Sequence, residues 1–235
     1  MLPFRAFLAP CFVLAACGGA ASPPLPAEPS NPAPSAVPPQ LTVESELGQI
    51  SEAATQTAFR ALHPQFLQCQ RTRAAALEVL TGQFQLFLRI GKNGRVLKSA
   101  LLDSTIGDIE TETCILHVAI AATWPKPEGG EAEVRATMDL PELASRPAVD
   151  WPANKVDGLL EPARSCKQGY AGTYQVTAYV QQEGDGGRAI AVGVAANEPG
   201  HEPGHERAAA CIVAAVKGIP FPSPGSWYAK VTFRF

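Results

Sequence analysis

The chain has 235 residues, 46% of them apolar, and a formal net charge of −3. That length holds one large domain or two small ones, and the apolar share is enough for packed cores. A near-neutral balance with no basic block argues against a nucleic-acid partner. Outside the N-terminus no apolar stretch approaches the roughly 20 residues needed to span a bilayer.

The N-terminus reads as an export signal over residues 1–16. Arg5 supplies a minimal positive region, and Ala6 to Ala16 is an apolar run of h-region length, too short to span. It ends in Leu14-Ala15-Ala16-Cys17, followed by Gly18-Gly19. This resembles the lipobox of bacterial lipoproteins, which implies a diacylglycerol on the sulfur of Cys17 and cleavage before it. Several acyl chains hold a protein firmly where one holds it weakly. Residues 17–42 then form the lipidated cysteine and a tether, with eight prolines between Gly18 and Gln40. Such a segment cannot bury a core and is expected to be an extended spacer.

Residues 43–146 carry a first set of elements. Val43 to about Leu80 has a helical pattern, broken near His63-Pro64, and includes Phe66 and Cys69. Gly82 opens a strand in which Phe84, Leu86, Leu88 and Ile90 share one face. Asn93-Gly94 is a strong hairpin signal, and Arg95 to Leu102 returns as a second strand. Asp108 can cap a helix over 109–123, whose stripe is Ile115, Val118, Ala119 and Ala122. Trp124-Pro125 ends it. Ala132, Val134, Ala136 and Met138 alternate with Glu133, Arg135, Thr137 and Asp139 as a third strand.

Residues 157–235 repeat that order after a connector over 147–156. A short helix over 159–167 holds Cys166, and a strand from Gly172 carries Tyr174, Val176, Ala178 and Val180. A Gly-rich turn leads to a strand over 188–196. A helix over 206–217 contains Cys211, and Phe221-Pro222 stands where Trp124-Pro125 stood. The last strand places Ala229, Val231, Phe233 and Phe235 at a constant offset from Ala132, Val134, Ala136 and Met138. An ordered recurrence of this kind is the signature of an internal duplication.

Phe66-x-x-Cys69, the alternating strand after Gly82, Ile90-Gly91-Lys92-Asn93-Gly94-Arg95-Val96, and a cysteine in the second helix before Trp124-x-Pro together resemble the AgmX/PglI C-terminal domain. That family is common in myxobacterial envelope proteins and is similar to the C-terminal domain of TonB. The resemblance covers Val43 to Leu140 well, and residues 157–235 mainly through Cys211, Phe221-Pro222 and the last strand. It implies an α+β fold: two tandem TonB-C-like domains, each a three-stranded antiparallel sheet covered by two helices. It also implies action by protein contact, in an envelope or motility-type assembly. TonB carries a transmembrane helix where this chain has its lipobox, so energy transduction is not carried over.

Besides Cys17, four cysteines remain in the mature domains, Cys69, Cys114, Cys166 and Cys211, and an even count in an exported chain reads as disulfides. They permit three pairings. With both helices of a domain on one face of its sheet, as the resemblance implies, the expected bonds are Cys69–Cys114 and Cys166–Cys211.

Nothing in the chain resembles a nucleophile elbow or a phosphate loop, and no enzyme activity or cofactor is expected. The pairs Glu110/Glu112 and Glu131/Glu133 read as solvated. The tandem Glu198-Pro199-Gly200-His201-Glu202-Pro203-Gly204-His205 offers two His and two Glu for a metal, but Pro and Gly prevent the helix that would align them. It reads as a surface loop. Phe87 and Tyr179, on the strand faces opposite the helices, could join Trp227 and Tyr228 in a contact patch, although scattered surface aromatics explain them better.

The leading expectation is therefore a lipid-anchored envelope lipoprotein, at the outer membrane facing the periplasm, acting as a protein-interaction module. The alternatives are a cell-wall-associated structural lipoprotein and, less favoured, a metal or small-ligand carrier. In each domain the topology places the third strand beside the first, which leaves it as an edge open to another strand. The second edge is the better candidate for binding envelope partners or a second copy. Its outward residues are Trp227, Tyr228, Lys230, Thr232 and Arg234, whereas the charges of the first edge read as protection against pairing.

Overall fold

The computed structural model describes residues 47–167, 172–199 and 205–235, and residues 44–235 form one compact unit. The leader, Cys17 and the tether lie outside the described residues.

Helix α1 (Glu52–Ala74) starts at Ser51, whose Oγ accepts from the amide of Ala54 at 3.3 Å. It is shorter at both ends than the pattern suggests, and it runs through Pro64 rather than breaking there. A proline inside a helix costs on the order of 3 kcal/mol. Here Leu62, Phe66 and Cys69 bury on either side of it, and tertiary burial of that face outweighs a single lost backbone bond. The chain then turns, burying Leu77, Val79 and Leu80.

Strand β1 (Gly82–Ile90) pairs antiparallel with β2 (Val96–Leu102) on one side and β3 (Ala132–Leu140) on the other. Its helix-facing residues Phe84, Leu86, Leu88 and Ile90 are all at most 1% exposed. Helix α2 (Ile109–Ala121) is capped by Asp108, whose Oδ2 accepts from the amide of Thr111 at 3.0 Å. The Arg73 guanidinium, in the last turn of α1, grips both oxygens of that carboxylate at 2.9 and 3.0 Å. One acid thus caps one helix and fastens the end of the other. Ile115 and Ala119 are fully buried against the sheet, with Val118 and Ala122 at the margin of the cluster.

The second repeat uses β5 (Tyr174–Glu183), β6 (Gly186–Ala196), α4 (His205–Lys217) and β7 (Ala229–Arg234), with a short α3 (Glu161–Ser165) before them. β5 pairs antiparallel with β6 and β7. Each repeat therefore has the strand order second–first–third.

Two features depart from the expected layout. The two sheets are not separate: β2 and β6 meet in parallel at Leu102 and Ala196, giving one mixed seven-stranded sheet in the order β3-β1-β2-β6-β5-β7-β4. The connector is also not a passive link. It contributes β4 (Val149–Trp151), which lies parallel to β7 from Ala229 to Val231. Val149 donates its amide to the Tyr228 carbonyl at 2.9 Å, and Trp151 drops into the second core.

Candidate functional site

The cysteines are bonded within each repeat, Cys69 to Cys114 and Cys166 to Cys211, with Cα–Cα separations of 5.8 and 5.6 Å. The first bond ties α1 to α2 and the second ties α3 to α4. Cys69 is buried, whereas Cys211 is exposed.

Contrary to expectation, the β7 edge is not open along its whole length: β4 pairs with it from Ala229 to Val231, and Trp227, Tyr228, Lys230, Thr232 and Arg234 make contacts within the chain. Arg234 remains largely exposed, and beyond Val231 no described strand pairs with β7 on this side. Lys230 Nζ donates to the Thr81 carbonyl at 2.7 Å and stands 5.3 Å from the Tyr179 ring centre. Thr232 shares a hydroxyl hydrogen bond with Thr177. Arg234 donates to Gln175 Oε1 at 2.7 Å and pairs with Asp103. Trp227 donates to the Pro147 carbonyl at 2.9 Å, under the Arg146 guanidinium.

Phe87 and Tyr179 do not form a surface patch, because both are buried. Phe87 is 1% exposed, beneath Arg135. Tyr179 is fully buried in the core of the first repeat, and its hydroxyl donates to the Thr81 carbonyl at 2.8 Å. Gly107, at φ +75°, lies so close to Thr177 and Tyr179 that a Cβ would sit 2.7 Å from the Thr177 methyl. The outer face of β5, which alternation alone reads as solvent-facing, is the docking face for the first repeat.

Glu112 is the least expected member of this region. It is not a solvated acid on a helix edge: it is fully buried at the fork where β2 and β6 part. Ser104 Oγ donates to its Oε1 at 2.7 Å, and the backbone groups of Val194 and Gly107 also bond it. These bonds favour the carboxylate, but burial outweighs them and pushes the acid up to about 7. Gly193 makes the seat possible, because a Cβ there would stand 2.4 Å from the Glu112 carboxylate. Nothing in the local pattern of α2 announces this, since the glycine lies far along the chain on β6. Lys230 shifts for the same reason in the opposite direction: burial lowers it to about 8, against the pull of Asp150 and Glu142.

Two grooves flank these elements. One, of about 1120 Å³, lies between α2 and α4 above the β2–β6 junction, lined by Leu116, Val213 and small alanines with Glu112 at its floor. The other, of about 500 Å³, lies between α1 and β3, lined by Thr55, Phe59, His63, Val134, Ala136 and Met138.

The groove beside β3 adjoins a free strand edge. Gly48 donates to the Glu131 carbonyl at 2.6 Å from outside the sheet, while Thr81 Oγ1 donates to the Leu140 carbonyl on the β1 side. Because a strand residue aims both backbone groups to one side and its neighbours aim theirs to the other, Glu133, Arg135, Thr137 and Asp139 point theirs outward. Among the described residues no strand pairs with that side.

Among the described residues no cluster of three or more His, Cys, Asp or Glu could hold a metal. Residues 200–204 of the Glu-Pro-Gly-His tandem lie outside them. No described helix is long and apolar enough to cross a membrane. No protein-family model, curated protein or solved structure matches the chain.

Proposed function

We propose that this chain is an exported lipoprotein, anchored through Cys17 at the outer membrane and facing the periplasm, that works as a non-enzymatic protein-interaction module. The lipobox-like N-terminus, the proline-rich spacer and the two disulfides support the compartment. The resemblance to AgmX/PglI domains supports an envelope or motility-type assembly as the setting. The observation that carries the binding role is the open edge of β3, nine residues long and bordered by a groove under α1. Strand addition along such an edge supplies affinity through backbone hydrogen bonds, while the groove selects side chains.

One experiment tests both halves of the reading. Wild type, Cys17→Ser and Thr137→Pro are labelled with palmitate and crosslinked in intact cells. The Thr137 amide faces outward, so proline there removes an edge donor without breaking the β1 ladder. Cys17→Ser should lose the label. Thr137→Pro should keep the label and lose most of its crosslinked complexes. Normal labelling of Cys17→Ser, or unchanged crosslinking of Thr137→Pro, would sink the corresponding half.

A further inference from the structure

We infer that the strand received by β3 is β3 of a second copy, paired antiparallel about a twofold axis at Thr137; this rests on the interaction reading above. Only outward-facing residues can meet as hydrogen-bonded pairs across such an axis, which leaves a few choices. An axis at Arg135 sets that guanidinium against its own copy, and one at Ala136 sets Glu133 against Asp139. An axis at Val134 needs the Glu131 carbonyl, which is already bonded to Gly48. An axis at Met138 sets Arg135 against Pro141, which has no amide to give.

With the axis at Thr137 no like charges meet, and Pro141 falls opposite Glu133, beyond the end of the ladder. Thr137 faces Thr137, and Arg135 faces Asp139 twice, once on each side. Opposite charges directly across a strand pair are favourable and like charges unfavourable. The ladder from 134 to 140 would hold about six backbone hydrogen bonds. On the helix side, Ala136 meets Met138, so a small residue faces a large one at the mouth of the groove under α1.

In the single chain Arg135 leans over the Phe87 ring at 5.3 Å and Asp139 accepts from Gln83 Nε2 at 3.0 Å. All of Arg135, Thr137 and Asp139 are exposed, where such contacts are weak enough to exchange for a partner across the axis. The alternation that looks like protection against pairing puts like charges together with the axis at Arg135 or Ala136 and opposite charges together with the axis at Thr137, while the Gly48 bond to Glu131 and the missing amide of Pro141 shorten the ladders about Val134 and Met138. It therefore limits the edge to a single partner geometry.

The test uses the full-length lipoprotein in detergent, with oligomeric state read by sedimentation. Wild type should be a dimer. Arg135→Asp and Asp139→Arg should each weaken it by about tenfold or more, by placing like charges across both sides of the axis. The double exchange should restore it, which a merely structural role for either residue would not produce. Thr137→Cys should form an intermolecular disulfide. A monomeric wild type, or a double exchange no better than the singles, overturns the dimer. If Thr137→Pro still abolishes complexes in cells under that outcome, the dimer falls while the interaction reading stands; if Thr137→Pro changes neither, both fall.

Discussion

The two repeats are built from the same parts and used differently. In the first, a 23-residue α1 supports the sheet, and the third strand is left with one free side. In the second, the corresponding helix is only five residues, and the third strand is covered by β4 from Ala229 to Val231. Its outward side chains are engaged at Thr81, Gln175, Thr177 and Asp103. The outer face of β5 in the second repeat packs against the first repeat, and the sheet ends in the nine-residue β3 on one side and the three-residue β4 on the other. Glu112 and Lys230, the buried groups whose ionisation is shifted most by burial, both lie at the seam where the two repeats meet.

The disulfides give the largest contrast between the repeats. Both close loops of 45 residues, so in the chain-entropy model each is worth roughly 4 kcal/mol. Their accessibility differs, because Cys69 is buried and Cys211 is exposed. Under graded reductant with trapping by alkylation, Cys166–Cys211 should open first while the first repeat stays folded. Cys69–Cys114 should persist until global unfolding. Simultaneous opening would mean that the repeats share one cooperative transition and that their difference in exposure is immaterial.

The seam makes a smaller, pH-dependent prediction. Glu112 has a folded-state value near 7, above that of an unfolded glutamate. Between about pH 4.5 and 7 the folded chain binds the extra proton, so this group's stabilisation is present in acid and is lost as pH rises through 7. Glu112→Gln imitates the protonated acid and should flatten that fall, by on the order of 2–3 kcal/mol between pH 5 and 8 in denaturant titrations. An unchanged pH slope would show that the carboxylate is hydrated.

How much of this was legible in the sequence follows the range of the interactions. The alternation of Phe84 to Ile90 and of Ala229 to Phe235 marks its strands because a period of two is a local property of a half-buried strand. The strand order in each repeat follows from the connections. The joining of the sheets does not, because Gln175, Thr177 and Tyr179 have the mixed polarity of a solvent face and become buried only when the other repeat arrives. β4 is three residues placed between prolines and leaves almost no period to read. Glu112 looks like any acid on a helix until Gly193, on another strand, opens room for it. Open edges are therefore predictable from topology, but which one stays open depends on contacts between repeats.

The smallest effect at pH 7 is expected at Lys230, and it separates two kinds of seam contact. Its ammonium is largely buried and lowered to about 8. The Thr81 carbonyl it serves also accepts from Tyr179 at 2.8 Å, so removing the amine leaves no orphaned acceptor. Lys230→Met keeps the apolar stem over Tyr179 and should change stability at pH 7 by less than about 1 kcal/mol, because lost hydrogen bonding is offset by relief from desolvation. The difference should grow with pH. An unfolded lysine still binds its proton between pH 8 and about 10.4, where the folded chain has released it. Wild type therefore gains stability over that window as pH rises, and the methionine variant does not. If the difference between the two proteins is the same at pH 7 and pH 10, Lys230 is solvated in the folded state, and the contact with Thr81 contributes nothing to holding the repeats together.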